Sequence, residues 1–453
     1  MTQNRMSRRQ FLQVASVGAA SAAFLAACPA PAPAGDSGGE GGGEAAAEAT
    51  TVSMGLTWGA SFQPRQAEFN DAFMERNPDI ELEVIYNTWA DHNKVVPTWA
   101  AADQLPDVVY VHGSRGFPWA FEGITIPLDS YTESDEEFDV GGVWQEALRL
   151  YNFQGEQHGI PYDHGPILLG YNKDIFDAGG VDYPNADWTM DDLKEAAAAL
   201  TDLEGEVPQW GYSGNCPALT STSAPSTVGG WGGEILNDIE NELLLDTEEA
   251  RAGIQFWNDL IHVDGSAPTP ADSQAFEQGP WLSGQVAMEN VPSWATPNLT
   301  EFASFGWDVA PWPTGPAGRV TGAFGSGFSI TNDSKVPDES WRFMREYLSV
   351  DGMSFVWGES GRGSPARKAA YDSWMGSENA PEGAQYYLEA LDTYAVTSRP
   401  YQTLGAAELN DLVNRTTALL KAGDVDVDGA LEAIMTDGQA ILDEAWERLQ
   451  AAS

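Results

Sequence analysis

From residue 51 onward the apolar residues switch repeatedly between a period of two and a period near 3.6, and this alternation is what most constrains the fold. Residues 52–58 read as a short strand. Over 62–76, Phe69 and Phe73 fall one helical turn apart, and Asn77-Pro78 stops the helix because proline disfavours a helical residue before it. Ile80, Leu82, Val84 and Tyr86 then alternate, which predicts a strand with one wet face. A helix over 91–102 and an apolar strand entered at Pro106-Asp107-Val108-Val109-Tyr110-Val111 follow. Strands alternating with helices need crossover connections, so the chain is expected to be α/β with largely parallel sheets. In such sheets ligands sit beyond the carboxyl ends of the strands, which places Trp58, Trp89 and the turn His112-Gly113-Ser114 at one rim.

A second α/β unit opens after Gly159-Ile160-Pro161-Tyr162-Asp163, with a strand over 168–172 and a short helix over 173–178. Thr189 with Asp192 three residues later forms a helix-start signature, completed by the Ala-rich run 193–200. Residues 205–233, rich in Gly, Ser, Thr and Pro, read as loop. Helices over 247–262 and 271–283 follow, then strands over 305–310 and 324–331 around a Pro/Gly turn at 311–318. A helix over 337–348 carries Trp341, Met344 and Leu348 on one face, and an amphipathic helix over 429–449 closes the chain. No internal repeat is visible. At 453 residues the chain suits two domains.

The first fifty residues have a different character. Ser7-Arg8-Arg9-Gln10-Phe11-Leu12-Gln13 precedes an Ala-rich apolar stretch, 14–25, which is too short to span a bilayer. Positive charge followed by such a stretch is an export signal. The twin arginines resemble a twin-arginine signal, while Gln13 stands where many of those carry Lys and leaves Sec-dependent export open. Leu25-Ala26-Ala27-Cys28 resembles a bacterial lipobox, so residues 1–27 are expected to be removed and Cys28 acylated. Acyl chains hold a soluble domain at a membrane through about 0.8 kcal/mol per buried methylene. The Pro/Ala and Gly/Glu-rich run 29–50 cannot bury a core and reads as a tether.

Charge narrows the partners. The formal net charge is −46, from 68 acidic against 22 basic residues, which repels nucleic acid and anionic headgroups. Acylation of Cys28 leaves Cys216 as a lone thiol beside Pro217, so no disulfide is expected. His92, His112, His158, His164 and His262 form no metal-binding spacing, and neither metal nor cofactor is expected. No Gly-x-Ser-x-Gly elbow occurs, and 68 acidic residues make some pair of carboxylates inevitable, so their number does not argue for a hydrolase.

Seventeen tryptophans are many for this length. Sugars offer C–H faces that stack on aromatic rings, while their hydroxyls need carboxylate, amide or guanidinium partners. Trp58, Trp89, Trp231 and Trp294 lie near strand ends or in Gly-rich loops, where a ring can face a cleft. Trp188, Trp257, Trp341, Trp357 and Trp446 lie in or beside helical patterns and are assigned to the core. Gly322-Ala323-Phe324-Gly325-Ser326-Gly327 lacks the spacing of a nucleotide loop and runs into a strand. Its glycines suit close backbone approach at a cleft floor, with Ser326 as a ligand contact.

Several runs occur in a telling order. Pro106-Asp107-Val108-Val109 comes first, then Gly155-Glu156-Gln157-His158-Gly159-Ile160-Pro161-Tyr162 and Leu169-Gly170-Tyr171-Asn172-Lys173-Asp174-Ile175-Phe176. Phe276 with Gly284-Gln285-Val286-Ala287-Met288 and Trp294 follows, and then the glycine run at 322–327 and Gly361-Arg362-Gly363-Ser364-Pro365-Ala366-Arg367. Together they resemble the extracellular sugar-binding proteins of ABC transporters, the maltose-binding-protein-like solute-binding family. The resemblance implies a two-lobed α/β fold of the periplasmic-binding-protein type, hinged at crossings near 161–163, near 305 and around 361–365. The first lobe would hold 51–162 and about 306–362, the second 163–305 and about 363–453. It also implies Trp294, Asp163 and Arg362 as ligand contacts, although Asp163 could instead bond the hinge backbone. The expected function is that of a lipid-anchored, extracytoplasmic, monomeric receptor passing a carbohydrate to ABC permease subunits. A polyol or glycerol phosphate binder and a tethered glycoside hydrolase are the alternatives.

Overall fold

The computed structural model describes residues 49–214, 217–220, 222–397 and 403–452. The expected export signal, Cys28, nearly all of the expected tether and Cys216 lie outside the described residues.

Strand β1 (Thr50–Leu56) leads into helix α1 (Gln63–Arg76), whose Pro64 sits in the first turn, where a missing N–H breaks no helical bond. Strand β2 (Ile80–Tyr86) pairs with β1 in parallel over its full length, from Thr50 with Ile80 to Leu56 with Tyr86. Helix α2 (Trp89–Ala101) is capped by the Thr88 hydroxyl, which accepts from the Asp91 N–H. Strand β3 (Val108–His112) joins the other side of β1 and feeds helix α3 (Gly113–Phe121). The β3 run is apolar throughout because both faces are buried. Val108 and Tyr110 enter one core cluster with Trp58, and Val109 and Val111 enter another with Trp119.

Strand β4 (Ile160–Pro161) ends the first passage through this lobe. The fully buried strand β5 (Gly165–Asn172) begins the second lobe and runs into helix α4 (Lys173–Gly179). Thr189 and Asp192 form the reciprocal capping box expected for helix α5 (Met190–Ala199). Strand β6 (Trp210–Tyr212) lies inside the region expected to be loop. It is three residues long, and among glycines it offers no alternation to read. Helix α6 (Glu248–His262) follows, then strands β7 (Val286–Pro292) and β8 (Trp307–Ala310). The helix expected over 271–283 is instead two short pieces, Pro270–Ser273 and Gly279–Leu282, broken where Gly279 adopts φ +80°.

The strand expected over 324–331 is two strands, β9 (Thr321–Phe324) and β10 (Ser326–Ile330), which lie in different sheets. The first lobe's sheet has the order β2-β1-β3-β10-β4. Strand β11 (Ala395–Thr397) completes the second sheet, ordered β11-β9-β5-β7-β6, with β8 also paired to β5. The crossing placed near residue 305 therefore falls at Gly325, because β8 and β9 both pair with β5 of the second lobe. The sheets are also less parallel than expected. β10 runs antiparallel to β3 and β4, and β5 is antiparallel to β7, β8 and β9. Helix α7 (Pro337–Tyr347) covers the first sheet with Trp341, Phe343, Met344 and Tyr347 buried. Helices α8 (Ala406–Ala422) and α9 (Val427–Ala452) pack on each other and on α6 in the second lobe.

Candidate functional site

Three chain segments pass side by side between the lobes. The Ala366 N–H donates to the Tyr162 carbonyl at 2.9 Å and the His164 N–H to the Ser364 carbonyl at 3.1 Å, pairing the first and third crossings. Gly325 lies against both the first crossing and α3. A Cβ there would stand 2.1 Å from the Asp163 carbonyl oxygen, and its own carbonyl accepts from the Gly113 N–H. Side chains lace the seam as well: the Ser293 and Ser364 hydroxyls meet at 2.6 Å, and Ser364 donates to the His164 carbonyl.

The site grows from this seam. Asp163 accepts the Ser326 N–H at 2.5 Å, so one of its oxygens does bond the hinge backbone. Ser326 in turn meets the Tyr110 hydroxyl at 3.0 Å. Trp89 is half exposed, edge-on to the His112 ring at 5.4 Å. His112 holds Ser114 at 2.7 Å and lies over Phe324 at 4.4 Å. Arg362 enters from the third crossing, its guanidinium 4.8 Å over the Phe62 ring and 5.3 Å over Trp357, which spreads its charge across aromatic faces. The turn that aims it needs Gly361, at φ +67°, where a Cβ would come within 2.4 Å of Asn379.

Burial sets the charges. Desolvation raises the Asp163 carboxyl to about 7 despite the Ser326 N–H and the nearby Arg362, which both favour the anion. Desolvation, aided by the Arg115 charge, lowers His112 to about 3 and so keeps it neutral. Tyr110, pushed up to about 12 by burial, remains a neutral hydroxyl. The floor thus offers hydroxyl, carboxyl, indole and guanidinium groups beside aromatic rings, an arrangement suited to a polyhydroxylated solute.

Of the residues expected at the site, Trp89, His112, Ser114, Asp163, Ser326 and Arg362 come together here. Trp294 does too: it follows β7 of the second lobe and packs against the cluster that joins Val111 of β3 to Phe324 of β9, with Gly363 alongside. Trp58 is a correction. It is 5% exposed, its N–H donates to Gln66 at 2.8 Å, and Tyr110, Tyr162 and Trp357 meet it edge-on. Its faces are taken up by the core under the floor. Trp231 does not join this group: partly buried, it packs against Phe256 and Trp257 of α6, at 5.0 and 6.4 Å, in the second lobe. Sequence reasoning missed Tyr110, hidden in an unbroken apolar run, and Phe62. It also missed the second role of Trp357, which is core yet stacks on Tyr162 at 4.4 Å and faces Arg362. Trp357 sits in a π-helical turn, Ser354–Glu359, a local widening often found beside functional sites and one that periodicity does not reveal.

Among the described residues there is no cluster of potential metal ligands and no helix long and apolar enough to cross a membrane. The hinged two-lobed architecture, with its polar and aromatic floor at the crossings, is that of a solute receptor. The family of bacterial extracellular solute-binding proteins matches residues 57–354, and the chain belongs to that family. Among solved structures, an ABC substrate-binding protein from Listeria monocytogenes in complex with cycloalternan superposes with a TM-score of 0.78 at 23% identity, covering 86% of this chain and 98% of that one. A Mycobacterium tuberculosis protein in complex with glycerophosphocholine gives 0.75 at 18% identity, covering 87% and 99%. At such identities the likeness is one of fold. The arabinooligosaccharide-binding protein of Halalkalibacterium halodurans is 27% identical over 283 residues, 59% of this chain and 61% of the relative. Family and fold are those of transport receptors that bind sugars or related solutes, not of enzymes.

Proposed function

We propose that this chain is the lipid-anchored, extracytoplasmic receptor of an ABC importer and that its solute is a carbohydrate. The observation that carries the solute class is the convergence at the hinge of Tyr110, Asp163, Ser326 and Arg362, hydrogen-bonding groups set among aromatic faces, with the half-exposed Trp89 ring beside His112. Such a floor matches the alternating C–H faces and hydroxyls of a sugar, and closure of the two lobes over it gives the importer a two-state signal. The arabinooligosaccharide-binding relative and the cycloalternan complex support the same class. Trp294, from the opposite lobe, is assigned as the ring that stacks on the solute when the lobes close. Anchoring rests on the sequence alone, on Cys28 after a short apolar stretch and on the tether behind it. The receptor acts as a monomer beside its permease subunits.

A screen of thermal unfolding against mono- and oligosaccharides tests the reading. A ligand that binds only the folded state stabilises it by RT ln(1 + [L]/Kd), about 2.7 kcal/mol at a hundredfold excess over Kd, which raises Tm by several degrees. Arg362 and the glycerophosphocholine complex favour one second reading, a glycerol phosphate ester, so such esters belong in the same screen. No response to any sugar, with a clear shift for an ester or an amino acid, would sink the carbohydrate assignment. Chemical conversion of a bound sugar would instead revive a hydrolase. Cys28→Ala is expected to release the protein from the membrane fraction.

A further inference from the structure

Helix α1 and the π-helical turn Ser354–Glu359 are far apart in the chain, and one side chain ties them together. Arg65, in the first turn of α1, donates its Nε–H to the Phe355 carbonyl at 3.0 Å and pairs through Nη2 with Glu359 at 2.7 Å. Its guanidinium also lies 3.4 Å over the Phe355 ring. Arg65 therefore grips the turn at both ends, by a carbonyl near its start and by the carboxylate that closes it. A further bond, from Nη1 to Glu68 at 3.3 Å, steadies the side chain from its own helix.

What this turn carries is the arginine of the hinge floor. The Trp357 carbonyl accepts the Arg362 N–H at 3.0 Å, and the Gly358 carbonyl accepts the Gly361 N–H at 2.8 Å. The Val356 carbonyl accepts the Ser360 hydroxyl at 2.6 Å. Three successive carbonyls of the turn thus set the path of the chain into Arg362. The Arg362 guanidinium then rests on two rings, Phe62 just ahead of α1 and Trp357 within the turn. Those are the two elements that Arg65 joins. A planar guanidinium can stack on a ring, donate to a carbonyl and pair with a carboxylate at once, which an ammonium cannot. The Arg65 and Glu359 side chains are 25% and 57% exposed, and ion pairs so open to water add little to global stability, so the consequence of this one is local geometry.

We infer that Arg65 is a positioning residue for the solute site: it fixes α1 against the π-helical turn, so that Phe62 and Trp357 present their rings together and Arg362 is aimed at the floor. Arg65 acts through Arg362 and not on the solute. That Arg362 contacts solute rests on the function proposed above, whereas the positioning itself is measurable with no solute present.

Hydrogen exchange and arginine labelling with phenylglyoxal, both read by mass spectrometry on the full chain without solute, test this, so a failed sugar screen leaves the result readable. In Arg65→Met the Gly361 and Arg362 amides exchange at least about tenfold faster than in the parent, and the Arg362 side chain labels at least about threefold faster. Tm moves by about 4 °C or less, and exchange over α4 of the second lobe keeps the parent rate. Arg65→Lys, which retains the charge and loses the planar fork, behaves like Arg65→Met. Glu359→Gln keeps the bond to the Phe355 carbonyl and gives a smaller increase at the same two amides, which guards against misfolding of the Arg65 variants. Parent rates at Gly361 and Arg362 in both Arg65 variants overturn the inference. So does an increase spread evenly over the first lobe, which would make Arg65 an ordinary stabilising contact.

Discussion

Two aromatic clusters of similar composition have opposite fates in this molecule. In the first lobe, Trp58, Tyr110, Tyr162 and Trp357 pack edge-on and stacked beneath the hinge, and the polar side of the cluster opens onto Asp163, Ser326 and Arg362. In the second lobe, Tyr212, Trp231, Phe256, Trp257 and Trp312 pack just as closely under α6, and Trp257 and Trp312 are fully buried. Ring geometry does not separate the two. Company does: charged and hydroxyl groups held by hinge backbone border the first, and apolar helix and strand faces enclose the second. An abundance of tryptophan therefore marks large aromatic cores as readily as it marks a binding floor.

The sharpest way to break this contrast is to truncate each cluster in turn. Trp257→Ala, at a position with no exposure, is expected to cost about 3–5 kcal/mol in urea unfolding, while whatever remains folded keeps its affinity for the sugar found in the thermal screen. A loss of affinity without a loss of stability would make the second cluster a site. Trp294→Ala is expected to do the reverse, weakening sugar binding at least about tenfold, or about 1.4 kcal/mol, in titration calorimetry with the fold intact. Unchanged affinity would return that ring to a packing role.

A pH series sharpens the first cluster further. The folded-state value for Asp163 is raised from 3.8 to about 7, so the folded protein holds an extra proton between these values. Its favourable contribution is complete below about pH 4 and is lost as pH rises through 7. Asp163→Asn removes that loss, so Tm of the variant relative to the parent should climb between about pH 4 and 8. An offset constant across that range would show that the carboxyl does not titrate as its burial dictates. The smallest effect is expected for Trp231→Phe, which keeps an aromatic contact to Phe256 and should change stability by about 1 kcal/mol or less and affinity not at all. A drop in affinity would place Trp231 back at the cleft.

Much of the fold was legible because its signals are local. The α1, β2, α5 and α6 segments carry their own periodicity, stops and caps, and they appear within a residue or two of expectation. What failed was non-local. The break between β9 and β10 is invisible in Gly322-Ala323-Phe324-Gly325-Ser326-Gly327, because which sheet each half joins depends on partners in β5 and β3, more than a hundred residues away. The same holds for Tyr110, whose face along β3 cannot be read when both faces are buried.

The sequence by itself determined the alternation of strand and helix and the acidic charge and, through ordered motifs, pointed to the family. Tertiary structure alone decided which tryptophans are packed into the cores and where the chain crosses between the lobes. The reason is physical. Hydrophobic period and capping act over a few residues, whereas desolvation of Asp163, closure of aromatic faces and pairing of distant charges exist only once separate segments have been brought together.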